Sequence, residues 1–73
     1  SMLWVINMKN SKKESLVEEK IKENKVKFNL KSKNVFKDKV DIMYEISTKK
    51  DKELIEILAK EKDIISLNLI KQD

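Results

Sequence analysis

The sequence predicts an α+β domain in which two helices cover one face of a four-stranded antiparallel sheet. A length of 73 residues allows one domain with a thin core. Residues 25–33 and 40–46 each alternate polar and apolar side chains, which is the period of a strand with one buried face. Apolar residues at helical spacing occur before and after this pair of strands. The predicted order is therefore strand, helix, strand, strand, helix, strand.

The first strand and the first helix come from the N-terminal part of the chain. The run Leu3–Met8 is apolar on both faces, which is typical of a central strand. Ser11 and Ser15 are each followed by Glu three residues later, which is the spacing of a capping box. The helix can therefore start at either of two positions, about one turn apart. Asn24 is expected to end the helix because Asn tolerates the left-handed conformation found there. The apolar residues on one side of this helix are Leu16, Val17 and Ile21.

The middle of the chain predicts a β-hairpin with its turn at Lys37–Lys39. Val35 and Phe36 break the alternation beside this turn, which indicates a bulge or a hairpin tip. The residues of the first hairpin strand that should face inward are Val26, Phe28 and Leu30. The inward residues of the second hairpin strand should be Val40, Ile42, Tyr44 and Ile46.

The C-terminal part predicts a helix capped by Asp51 and a last strand over residues 64–70. The apolar stripe of the helix is Leu54, Ile55 and Leu58, and the strand should turn Ile65, Leu67 and Leu69 to one face. Right-handed crossovers make the first and third strands central. The result is a ferredoxin-like β-α-β-β-α-β sandwich. Its core is expected to bury Phe28, Ile42, Tyr44, Leu54, Leu58 and Leu67.

The composition excludes most catalytic and cofactor chemistry. The chain has no Cys, His or Gly, and all 17 basic residues are Lys. Thiolate and imidazole metal sites, His-dependent nucleophiles, Arg phosphate cradles and Gly-rich phosphate loops are therefore absent. We expect no enzymatic activity, no catalytic residue, no cofactor, no metal site and no small-molecule ligand.

Two charged segments are candidate binding sites. Glu18, Glu19 and Glu23 could hold a hard cation only weakly, and a solvated helix face explains them better. Lys27, Lys31 and Lys33 form a stripe on the wet face of a hairpin strand and are a candidate for weak polyanion contact. Asp41 and Glu45 on the neighbouring strand should neutralise much of that stripe, so no specific nucleic acid is expected.

An apolar set on the sheet face away from the helices predicts self-association. On the predicted strand parity this set is Leu3, Val5, Met43, Ile64 and Ile70. Scattered exposed apolar residues are ordinary, but a contiguous patch marks an interaction surface. We therefore expect a homo-oligomer joined through the open face or an edge strand. The expectation depends on the parity of the first strand.

The second half of the chain resembles a family of bacterial membrane-protein domains. Residues 41–49, 53–58 and 64–69 look like the last strand, helix and strand of ACT-like domains. They are most similar to the C-terminal cytosolic domains of MgtC-type bacterial membrane proteins and of a related uncharacterised group. The loop Lys9–Lys13 departs from the ACT pattern, because it lacks the Gly and Asp that effector-binding members carry there.

The resemblance implies a regulatory or self-association domain on the cytoplasmic side of a bacterial cell membrane. Residues 1–73 would then be one domain excised from a longer protein, soluble by itself and adjoining the membrane-embedded remainder of its parent chain. Two alternatives stay open: a small-molecule-sensing ACT-type module and a nucleic-acid-binding module that uses the lysine stripe.

Overall fold

The computed structural model describes residues 1–72 and has the predicted element order. The elements are β1 (Met2–Met8), α1 (Lys12–Glu23), β2 (Phe28–Val35), β3 (Val40–Ile46), α2 (Asp51–Ala59) and β4 (Ile64–Lys71). The strands form one antiparallel sheet in the order β2-β3-β1-β4. The ferredoxin-like fold and the central position of the first and third strands are therefore confirmed.

One face of the sheet carries the core. Every second residue of β1 and β3 is buried, and the residues between them are half-buried. Buried residues of α1 and α2 belong to the same cluster, so both helices cover this one face. The buried residues are Trp4, Ile6, Met8, Val17, Ile21, Val26, Val40, Ile42, Tyr44, Ile46, Leu54 and Leu58. Burial of four of the six expected core residues is thus confirmed.

The ends of the helices follow the sequence closely, with two differences. Ser11 is the N-cap residue of α1, and Asn24 is its C-cap. The left-handed residue is Lys25, at φ 62°, rather than Asn24 itself. The N-cap residue of α2 is Lys50, so Asp51 is the first helical residue and not the cap. The side-chain oxygen of Thr48 accepts a hydrogen bond from the Lys50 amide at 2.9 Å and shapes this turn.

The edge strand β2 is less buried than its alternation predicts. Leu30 lies opposite Tyr44, on the helix side as predicted, but 49% of it is exposed. Phe28 is half-buried and packs against the core. An edge strand has a neighbour on one side only, which leaves its side chains less covered. Beyond the strand, the Phe36 amide donates to the Lys39 carbonyl at 2.8 Å, which closes the predicted hairpin tip.

The strand β4 contains a bulge that changes which residues face the core. Met8 lies opposite Ile64 and Asn7 lies opposite Ser66, so Ile65 is an extra residue in β4. Ile65 is 54% exposed, and its predicted inward position was wrong. Ile64 packs against the core instead of lying on the open face. Leu67 does face the core, but as part of an edge strand it is only half-buried.

Candidate functional site

The open face of the sheet carries an apolar patch formed by Leu3, Val5, Met43 and Ile70. Cross-strand pairing places Leu3 opposite Ile70 and Val5 opposite Met43. The three residues on the central strands are half-buried, and Ile70 is 43% exposed. Because no helix covers this face, the four side chains form one continuous surface. Ile64, the fifth residue of the predicted set, does not belong to it.

A polar row crosses the same face and bounds the apolar patch on one side. Asn34, Asp41, Asn7 and Ser66 lie side by side across the four strands. The Oδ1 atoms of Asn7 and Asp41 are shielded from solvent and have no hydrogen-bond donor within residues 1–72. The row separates the patch from the end of the sheet that carries the hairpin turn. On its flanks the patch also meets Glu45, opposite Leu3, and Asn68, opposite Val5, so it is an apolar band with polar neighbours.

The structure breaks the predicted lysine stripe into three unrelated positions. Lys27 precedes β2, whereas Lys31 is an extra residue between the pairs formed by Leu30 and Ser32. The bulge reverses the parity of the following residues, so Lys33 lies opposite buried Ile42 on the helix side.

The pairing expected for this stripe also differs. The Lys33 ammonium forms a 2.6 Å salt bridge with Glu14 of α1. On the open face, Asp41 and Glu45 lie opposite Asn34 and Asn29 rather than opposite lysines. The prediction of one basic stripe on one face was therefore wrong.

Tyr44 links the sheet to α1 through a hydrogen bond that the sequence pattern does not show. Its ring is fully buried and meets the Phe28 ring edge to face, with 5.4 Å between the ring centres. Its hydroxyl donates to the Glu18 carboxylate at 2.9 Å. Burial, and then this hydrogen bond, raise the pKa of Tyr44 above its ordinary value of 10.0. The hydroxyl therefore stays protonated in the folded protein throughout the neutral range.

The acidic residues of α1 do not form a cation site. Glu18 accepts the Tyr44 hydroxyl, whereas Glu19 and Glu23 are exposed. Within the part of the chain that the structure describes, no group of three or more acidic side chains is arranged to hold a metal ion. These residues lie where the acidic residues of a solvated helix face are expected.

A basic cleft, defined by Lys22, Lys25, Lys27 and Lys50, lies at the opposite end of the sheet from the hairpin turn. Its volume is about 1050 Å³, and its lining includes one carboxylate, that of Glu45. The α1–β2 loop and the β3–α2 loop contribute most of its wall, because both connections leave the sheet at this end. The sequence pattern does not indicate this cluster, because its lysines belong to separate elements and loops.

Two lysines of the basic cleft are held in place by neighbouring groups. The Lys22 ammonium lies 5.8 Å from the centre of the Phe28 ring, which is within range of a cation–π interaction. The Lys50 ammonium donates to the Asn24 carbonyl at 3.1 Å and joins α2 to the end of α1. The half-buried Phe28 adds apolar surface to the lining, whereas Val26 is almost fully buried. The cleft therefore combines cationic groups with an apolar wall.

Comparison with known proteins identifies no family for this chain. No family model matches the sequence, and no curated protein or solved structure matches it. The fold is therefore assigned from the order of the elements, the order of the strands and the position of both helices on one face of the sheet. Within residues 1–72, no helix is long and apolar enough to cross a membrane.

Proposed function

We propose that this domain is a non-catalytic self-association module, carried on the cytoplasmic side of a bacterial membrane protein. The observation that carries the proposal is the apolar patch, because it is continuous and lies on a sheet face without helices. The absence of His, Cys and Arg from the sequence supports a role without catalysis. The membrane-protein parent is supported only by the resemblance of residues 41–69.

The size of the open face favours a second copy of the chain that binds weakly. Four strands about 4.8 Å apart and about seven residues long, at roughly 3.3 Å per residue, give a plan area of about 440 Å². Face-to-face pairing of two copies then buries about 900 Å² in total, below the roughly 1,200–2,000 Å² of stable complexes. Such an area suits a dimer with a dissociation constant of about 10 μM to 1 mM. Weak pairing is sufficient when a membrane holds the parent chains together.

Sedimentation equilibrium at high micromolar concentration tests the proposal. We expect a reversible dimer that persists at high salt, because screening weakens ionic contacts but not apolar ones. Val5→Lys and Ile70→Lys should each shift the equilibrium to monomer. Ser66→Lys is the matched control, since it adds the same charge to an exposed position of the polar row on edge strand β4 and should weaken the dimer less than the two patch variants do.

Two results would contradict self-association through this face. One is a monomer at all concentrations, unchanged by Val5→Lys or Ile70→Lys. The other is a dimer that Ser66→Lys disrupts as strongly as the two patch variants do. The proposed parent protein has a separate test. The gene that encodes this chain should also encode several apolar spans of about 20 residues before Met2.

A further inference from the structure

The basic cleft has the composition of a site for a small organic anion. Its lining contains four lysines and one carboxylate, and within residues 1–72 none of these lysines forms a salt bridge. Like charges close together repel one another, and an anion bound between them removes that repulsion. Ordinary solvated lysines spread over a convex surface instead. In the basic cleft, a concave surface and excess positive charge occur together, and this combination suits an anionic ligand.

We propose that the basic cleft binds a small organic phosphate of about mononucleotide size. The lysine ammonium groups would hold the phosphate groups, and the organic part would lie against the half-buried Phe28. A volume of about 1050 Å³ lies just above the roughly 300–1,000 Å³ typical of small-molecule sites, and the cleft is broad and open to solvent. This inference goes beyond self-association, because it concerns a different group of residues.

The positions of Lys22 and Lys50 favour phosphate recognition at a fixed place. An ammonium group has three donors, and the hydrogen bond from Lys50 to the Asn24 carbonyl uses one of them. The Phe28 ring holds Lys22 without using its hydrogen-bond donors. Both cations are therefore positioned before a ligand arrives, which reduces the entropy lost on binding. Lys25 and Lys27 are exposed in the adjoining loop and can close on the phosphates.

The lining also distinguishes an organic phosphate from a simple polyanion. Phe28 is half-buried, and its edge-to-face contact with Tyr44 fixes its ring. A rigid aromatic surface beside cationic groups suits a ligand with a planar ring attached to its phosphates. The hydroxyl groups of Ser47 and Thr48 lie in the same lining and can bind sugar or phosphate oxygens.

Calorimetric titration of the full chain tests this site, with ATP, adenosine and inorganic pyrophosphate as probes. We expect saturable ATP binding that is tighter than that of either part, because only ATP uses both the cations and the apolar wall. Lys25→Gln with Lys27→Gln should weaken ATP binding about tenfold, roughly threefold for each exposed charge. Phe28→Leu should weaken the binding of ATP more than that of pyrophosphate, because it removes the aromatic wall from ATP, whereas pyrophosphate loses only the positioning of Lys22.

The matched control removes two lysines at the other end of the molecule. Lys37→Gln with Lys62→Gln changes the net charge equally but leaves the basic cleft intact. We expect its affinity for ATP to stay within about twofold of the unchanged chain. Equal weakening by the control and the cleft variant would overturn the proposal, as would the lack of saturable binding. Tighter binding of a single-stranded oligonucleotide than of ATP would overturn it in favour of an extended polyanion.

Discussion

Replacing Tyr44 with Phe removes one hydroxyl and leaves the rest of the core unchanged. The ring keeps its edge-to-face contact with Phe28, so the lost interaction is the 2.9 Å hydrogen bond to the Glu18 carboxylate. A hydrogen bond to a charged group contributes about 1.5–3 kcal/mol. Glu18 is half-buried, so its carboxylate regains some contact with water when the hydroxyl is absent. We therefore expect Tyr44→Phe to lower the free energy of unfolding by about 1–2 kcal/mol.

Chemical denaturation at neutral pH measures this loss. Glu18→Gln should lower the free energy of unfolding less than Tyr44→Phe does, because the neutral amide oxygen still accepts a hydrogen bond from the Tyr44 hydroxyl. Glu19→Gln is the matched control, since it removes the same charge from the adjacent, exposed position and should change stability little. A loss below about 0.3 kcal/mol for Tyr44→Phe would refute a stabilising role for this hydrogen bond.

The raised pKa of Tyr44 also predicts how stability changes at alkaline pH. The unfolded chain loses the phenol proton near the ordinary pKa of 10.0, whereas the folded chain retains it. The contribution of the protonated Tyr44 hydroxyl to the free energy of unfolding is complete below pH 10. It declines as the pH rises toward the higher pKa of the folded state. At pH 11 the unfolded state gains about 1.4 kcal/mol from this ionisation, and Tyr44→Phe removes that dependence.

The alkaline prediction has a direct spectroscopic readout. Tyr44 is the only Tyr in the sequence, so phenolate absorbance reports this one group. The absorbance should rise together with the loss of secondary structure, not before it. A phenolate that forms near pH 10 while circular dichroism still shows the folded protein would refute the buried, hydrogen-bonded position.

Three further substitutions test other parts of the structure. Leu58→Ala should cost about 2–5 kcal/mol in chemical denaturation, because Leu58 is fully buried between α2 and the sheet; a loss below about 1 kcal/mol would contradict the packing. Lys25→Gly should raise stability by up to about 1 kcal/mol, since Gly adopts the left-handed conformation without steric cost, and a loss of stability would contradict this. Lys33→Gln should cost about 0.5 kcal/mol more than Lys31→Gln, because only Lys33 pairs with Glu14; equal losses would show that the salt bridge contributes nothing.

The fold could be predicted because its signals are local and regular. The alternation of residues 40–46 determines one buried face, and β3 follows it without interruption. The helical spacing of Leu54 and Leu58 identifies the buried side of α2. Given the element order, right-handed crossovers then lead to the observed sheet order. Each step needs only neighbouring residues and a general rule of chain geometry.

The two bulges could not be predicted because no residue in the local sequence indicates a bulge. Lys31 and Ile65 are ordinary strand residues, and the chain has no Gly to mark an irregular position. Each extra residue reverses the parity of one end of its strand. That reversal placed Lys33 on the helix side and Ile64 in the core, so the lysine stripe is broken and the apolar set loses one member.

The basic cleft was missed for a different reason. Its lysines come from the end of α1, the α1–β2 loop and the β3–α2 loop, and only the folded chain brings these segments together. The predicted topology already places the α1–β2 and β3–α2 connections at one end of the sheet. Counting charges by sheet end, rather than by element, would have identified the cluster.

Distances between spin labels test the central claim most directly, because self-association through the open face predicts where labels approach each other. The chain has no Cys, so Ser66→Cys labels the open face alone and Lys52→Cys labels the exposed side of α2 alone. In a face-to-face dimer, the sheets lie about 10 Å apart and the helices lie outside them. Dipolar coupling at high micromolar concentration should therefore give a short distance between Ser66→Cys labels and a much longer one between Lys52→Cys labels. A short distance between the helix labels, or no coupling between the open-face labels, would contradict the account.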